Sequence, residues 1–149
     1  MMWFTHVAFG LFFGLLSLRF ISFPYPQLYV FIAAVAALLP DIDHPNSVIN
    51  KKFTLTRWAS HLFKHRGFFH SVFPVILLYL VVSPLHHMVA AAVCLGYLSH
   101  LVADGFTKMG VNLLYPLITL RIQGPLETGK AYEWLIFMVI AVVDLMLAV

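Results

Sequence analysis

Apolar residues run in five blocks along the chain, over positions 4–22, 27–39, 71–82, 86–105 and 131–149, each reading as a helix that is apolar on nearly every side. A helix needs about 20 residues to cross a bilayer core of roughly 30 Å. The second and third blocks are short of that and must borrow flanking residues, thin the bilayer or stop partway. Between them the period changes. Leu55, Trp58, Ala59, Leu62 and Phe63 return on one helical face, and Arg57, Ser60, His61 and Lys64 take the other. That pattern describes a short helix lying in the membrane interface over positions 54–64. Gly67 is placed to end it in a left-handed cap, and Ser71 to cap the span that follows. The predicted fold is therefore all-α: a polytopic membrane bundle of about four to five hydrophobic helices plus a short interfacial amphipathic helix, in a single domain over positions 1–149.

Composition agrees and narrows the compartment. With 62% hydrophobic and 10% charged residues and a mean hydropathy of +0.92, the chain lies far outside the range of soluble domains. The single Cys94, mid-helix among apolar neighbours, excludes an intrachain disulfide and reads as a small core residue. The start of the chain lacks the basic residues of a cleaved secretory signal, so the N-terminus is expected to be retained. If all five blocks cross and the N-terminus is cytoplasmic, Lys51, Lys52, Arg57, Lys64, Arg66, Lys108, Arg121 and Lys130 face the cytoplasm and only Arg19 faces outward. The reverse orientation conflicts with the positive-inside tendency. A net charge of +3 is explained by that orientation and by headgroup attraction, so no nucleic-acid partner is expected.

This topology has a chemical consequence. His6 lies near the start of the first block, Asp41 and Asp43 at the end of the second, His65 and His70 before the third, His100 and Asp104 near the end of the fourth, and Glu133 at the start of the fifth. All fall on the cytoplasmic side, and a shared pocket is the economical explanation. His100 and Asp104, four residues apart, share one helix face inside an apolar helix, where polarity without a partner is expensive. Asp41 and Asp43 in Pro40-Asp41-Ile42-Asp43-His44-Pro45 can divide the work of binding a metal and orienting a neighbour, although a capped turn uses the same residues. His65 and His70 flank a glycine, and Arg66 can grip an oxyanion or an acidic headgroup. Glu133, in the first turn of a helix, is also favoured by the macrodipole alone. His44 stays undecided between ligand and turn residue. His61, His86, His87 and Asp144 read as solvated or snorkelling side chains. No glycine-rich phosphate loop, GxSxG elbow or HExxH helix is present.

Taken together, LLPDIDHPNS (38–47), HRGFFHS (65–71), GYLSHLVADGFTKMGVNLLYP (96–116), His6 before them and GKAYE (129–133) after them resemble the membrane-bound metal-dependent hydrolases, also labelled LexA-binding, inner-membrane-associated hydrolases. The similarity covers nearly the whole chain in the family's motif order. Phe69 stands where that family usually has Thr, which removes a hydroxyl beside His70. The resemblance implies a multi-pass protein of the bacterial or archaeal cytoplasmic membrane with metal-dependent hydrolase activity and no established substrate. Nothing in the sequence looks like a LexA-docking surface. A fainter similarity, in ligand vocabulary alone, is to zinc phospholipase C and the P1-type nucleases, and it suggests a phosphoester substrate.

The expectation is an enzyme. His6, Asp41, His65, His70, His100 and Asp104 are the candidate metal ligands, for one to three divalent ions, with zinc first and manganese as the other choice. Asp43 or Glu133 would move the proton, and Arg66 would neutralise charge on the oxyanion. The partners implied are membrane lipids and an anionic small-molecule or lipid-linked substrate, met at the cytoplasmic face. A divalent-cation transporter would place its site near mid-membrane with access from both sides. A structural zinc staple would close its coordination shell.

Overall fold

The computed structural model describes residues 1–43 and 67–149. The expected interfacial helix, His44, His65 and Arg66 lie outside the described residues, as does the side chain of Asp43. Five α-helices are present among the described residues: α1 (Trp3–Ser17), α2 (Pro26–Ala36), α3 (Phe73–Val82), α4 (His87–Gly105) and α5 (Ala131–Ala148). Single 3₁₀ turns follow α2 at Leu39–Asp43 and precede α3 at Phe68–His70. No strand occurs among these residues.

The helix boundaries follow local chemistry. Proline opens both α2 and α3, where its missing N–H costs no hydrogen bond. Ser71 is not the capping residue of α3, a position taken by Val72, but its Oγ accepts from Phe73 N at 3.4 Å. Gly67 has φ −91°, so the left-handed cap expected there is absent. The first helix ends at Ser17 rather than at Ser22. Ser17 Oγ bonds back to the Gly14 carbonyl (2.8 Å) and meets the Tyr29 hydroxyl (3.1 Å), and the chain then tightens through i→i−3 bonds from Leu18, Arg19 and Phe20.

Among the described residues two helices, α4 with 19 residues and α5 with 18, are long and apolar enough to cross a membrane. With 15, 11 and 10 residues, α1, α2 and α3 reach only about 22, 16 and 15 Å at 1.5 Å per residue, short of a bilayer core of roughly 30 Å.

Packing runs through small residues. α1, α2 and α4 each touch the other two, α3 lies on α4, and α5 lies on α1. Gly10 and Gly14, four apart on α1, face Val30, Ala33 and Ala34 of α2, while Gly96 of α4 lies against the Ala33 carbonyl and Ala36. Where lipid is as apolar as leucine, helices associate by such backbone approach rather than by the hydrophobic effect. Larger side chains fill the ends. Tyr29, Val30, Met88 and Ala92 form one buried cluster, and Val75, Tyr97 and Leu101 form another, with Cys94 beside the second.

α5 is the outlier, since Glu133 and Asp144 are its only buried side chains. Asp144, expected to be solvated, is 8% exposed. The segment between α4 and α5 folds back on itself through isolated bridges, Thr107 with Leu126 and Val111 with Ile122, at the end of the bundle where α4 stops and α5 starts.

Candidate metal centre

The up-and-down path of the chain explains how distant residues meet. α1 starts at one end of the bundle, α2 returns to it, α3 leaves from it, α4 returns and α5 leaves again. His6 sits on the first turns of α1, Asp41 in the turn after α2, His70 in the turn before α3, and His100 and Asp104 on the last turns of α4. His6, His70, His100 and Asp104 are fully buried, and the Asp41 side chain keeps 24% of its surface.

Their polar atoms face one another at a characteristic spacing. His6 Nε2 lies 3.4 Å from Asp104 Oδ1. His70 Nε2 and His100 Nε2 each lie 3.8 Å from Asp104 Oδ2 and 3.8 Å from Asp41 Oδ1. The four separations of 3.8 Å exceed hydrogen-bond length. They suit donors arranged around a cation, because two atoms each about 2.1 Å from a metal at the tetrahedral angle sit about 3.4 Å apart. Two groups with donor atoms within 4.8 Å of one another result: His6, His100 and Asp104, and Asp41, His70 and His100. His100 belongs to both. The His6 and His100 rings stack at 3.7 Å, and the His70 ring meets His100 edge-on at 5.3 Å.

The donor set passes a test of fit to a divalent ion. His100 Nδ1 lies 2.7 Å from the Ala37 carbonyl, so Nδ1 carries the proton and the lone pair of Nε2 points at the carboxylates. His100 Nε2 and both ring nitrogens of His6 are buried without a hydrogen-bond partner among the described residues. Leaving such atoms unsatisfied costs about 1–3 kcal/mol each, and imidazole with carboxylate is the donor mixture that zinc and manganese accept. Asp104 Oδ1 also accepts from the amino nitrogen of Met1 at 2.6 Å.

Glu133 stands apart from this group. Its Oε1 accepts from Met2 N (2.5 Å) and Thr5 Oγ1 (3.3 Å), and its Oε2 accepts from Gly129 N (2.5 Å). With its lone pairs so engaged, it ties the start of α1 to the turn before α5. Glu133→Gln should lower the unfolding free energy by about 1.5–3 kcal/mol, the scale of charged hydrogen bonds, with metal content unchanged. Thermal melts and metal analysis of the same preparation check this, and a variant that loses metal while keeping its melting temperature would contradict it.

Three supporting groups escaped the sequence. The Ala37 carbonyl, which fixes the His100 tautomer, belongs to a residue with no polar side chain. The Tyr97 hydroxyl donates to the Phe69 carbonyl at 2.6 Å and so pins the turn that carries His70. Thr5 reaches Glu133. Only Tyr97 left a signal, being three residues before His100 in the same motif.

A buried His/Asp centre at one end of a small-residue helical bundle defines a membrane protein with a polar site among its helix ends. The chain belongs to the YdjM inner membrane protein family, whose profile matches residues 1–148. It is 36% identical over 116 residues to the uncharacterized protein YvsG of Bacillus subtilis, covering 74% of this chain and 72% of that protein. It is 41% identical over 92 residues to the inner membrane protein YdjM of Escherichia coli, covering 56% of this chain and 47% of that one. No solved structure matches.

Proposed function

We propose that the protein is a metal-dependent hydrolase of the inner membrane, acting on a phosphoester or lipid-linked phosphate at the cytoplasmic face. One observation carries the reading: five side chains from four separate helix ends gather in two donor groups that share His100, with facing atoms 3.4–3.8 Å apart. A divalent cation held there, zinc or manganese, would supply water acidic enough to ionise near neutral pH and Lewis-acid polarisation of a substrate oxygen. His6, Asp41, His70, His100 and Asp104 would hold it, with His65 as a sixth candidate. The two carboxylates offset the ion's charge in a low-dielectric setting, and the Ala37 carbonyl keeps His100 in the ligating tautomer. Asp41, the one donor with exposed surface among the described residues, marks the side from which substrate and water would enter. That open side favours an enzyme over a closed structural zinc site, and donors at a single end of the bundle do not suit a transporter. Oxyanion neutralisation falls to Arg66 and proton transfer to Asp43. Glu133 is a positioning residue.

Lipid-linked substrate and cytoplasmic sidedness have their support at the same end. Phe106, Leu117, Ile118 and Leu120 are exposed there beside Lys108, Arg121 and Lys130. Apolar and basic residues mixed in this way seat a segment in anionic headgroups, on the side that positive charge prefers. In a multi-pass arrangement α4 and α5 would cross fully, with the shorter α1, α2 and α3 in a locally thinned bilayer.

Membrane vesicles of both orientations test activity and sidedness together. Phosphate release from phosphomonoester and phosphodiester lipids added outside is expected from inverted vesicles and absent from sealed right-side-out ones. Chelator should abolish it, and zinc or manganese should restore it. Stoichiometric metal without hydrolysis of any such ester would make the centre structural and end the enzyme reading.

A further inference from the structure

The second feature of the fold runs along α5, on a different face of α1 from His6. A groove of about 930 Å³ runs between α1, α2 and α5, lined almost wholly by apolar side chains from Trp3 and Phe4 to Leu18. Those positions span fifteen steps of α1, about 22 Å, longer than the roughly 15 Å of one leaflet's hydrocarbon. At the far end the lining includes Asp144. Asp144 is 8% exposed, and its Oδ1 is buried with no hydrogen-bond partner among the described residues. It lies eleven residues along α5 from Glu133, about 16 Å from that end of the bundle, so it serves no role in the His/Asp centre. An ionisable group in an apolar membrane groove calls for a named partner.

The same end supplies a cation. Arg19, just past the end of α1, is exposed and donates from Nη2 to the Leu147 carbonyl at 3.5 Å, one turn beyond Asp144 on α5. Asp144 is thus buried in the lining of an acyl-sized groove, while Arg19 at the surface reaches the backbone of Leu147, another lining residue. We propose that this groove is a binding site for a zwitterionic phospholipid with a primary ammonium, phosphatidylethanolamine: an acyl chain along α1, the ammonium donating to Asp144, and the phosphate facing Arg19. A quaternary choline headgroup has no N–H to give Asp144, and a glycerol headgroup lacks the positive charge. Charge-assisted hydrogen bonding to a desolvated carboxylate is the interaction that would discriminate among the three.

The test uses the full chain in nanodiscs of equal parts phosphatidylethanolamine, phosphatidylcholine and phosphatidylglycerol with identical acyl chains, read by native mass spectrometry of retained lipid. The wild-type protein should retain about ten phosphatidylethanolamine molecules for each phosphatidylcholine or phosphatidylglycerol, one charge-assisted bond's worth of selectivity. Asp144→Asn should bring retention to the bulk ratio, and Arg19→Gln should weaken it for all phospholipids. Ala141→Phe, which fills the groove without touching either charge, should expel the lipid while circular dichroism stays helical. Retention at the bulk ratio in the wild type, or unchanged selectivity in Asp144→Asn, overturns the proposal. So does a lipid-free dimer that Asp144→Asn dissociates, because a second copy would then cover the groove.

Discussion

Asp104→Ala and His100→Ala should each weaken divalent-cation binding by at least about a hundredfold, since even groups one shell removed from a metal are worth 10–100-fold. His100 belongs to both donor groups, and Asp104 faces His6 through one oxygen and His70 and His100 through the other. Loss of either therefore removes a contact shared by the whole centre, and hydrolysis should fall with metal content. Metal analysis after dialysis, beside circular dichroism to show an intact bundle, gives the answer. The sign of a companion variant is more telling. His6→Leu removes an imidazole whose two nitrogens have no hydrogen-bond partner among the described residues. If a cation is bound, the variant loses a ligand and melts at lower temperature. If the centre holds none, removing a buried unsatisfied polar group relieves about 1–3 kcal/mol and the melting temperature rises. A rise would defeat the metal reading whatever the activity assay returned.

The sequence displayed the site better than the packing, for a physical reason. Charged and imidazole side chains are rare against an apolar background, so His6, Asp41, His70, His100 and Asp104 stood out, and the alternating course of five apolar blocks was enough to send them to one end. The starts of α4 and α5 were equally visible, within a residue, because Pro84 precedes the one and Gly129-Lys130 the other. Inside the helices the contrast vanishes. Lipid-facing and helix-facing positions are both apolar, so hydropathy could not show that α5 buries only Glu133 and Asp144, that Glu133 is held by Met2, Thr5 and Gly129, or that α1 turns five residues before its apolar block ends. Asp144 was misread for the same reason. Nearness to a helix end suggested water, whereas the packing of α5 beside α1 puts its carboxylate in an apolar groove. The signal that does survive in membrane helices is residue size. Gly10, Gly14, Gly96 and the alanines of α2 mark the contacts that hydropathy hides.

Gly96→Ala should be the most damaging added methyl among the helical glycines of the described residues. A Cβ at position 96 would fall deep inside the van der Waals surface of the Ala33 carbonyl oxygen and 2.9 Å from both Ala33 C and Ala36 Cβ. Two of these three atoms are backbone in the last turn of α2, which cannot rotate away as a flexible side chain would. α2 and α4 must separate instead. Overpacking costs about 1–3 kcal/mol where neighbours can give, and more where they cannot. The damage should also reach the metal centre by a defined route. Gly96, His100 and Asp104 succeed one another every four residues on one face of α4. The approach at Gly96 holds α2 close enough for the Ala37 carbonyl, four residues after Ala33, to bond His100 Nδ1 at 2.7 Å. Gly14→Ala is the matched control, because a Cβ there meets its nearest neighbours at 3.4–3.5 Å, ordinary contact distance. Thermal unfolding in one detergent should show Gly96→Ala well below the wild type and Gly14→Ala near it, with metal affinity reduced only in the former. Equal melting temperatures for the two variants would mean that α2 and α4 do not meet at Gly96, and the geometry that orients His100 would lose its foundation.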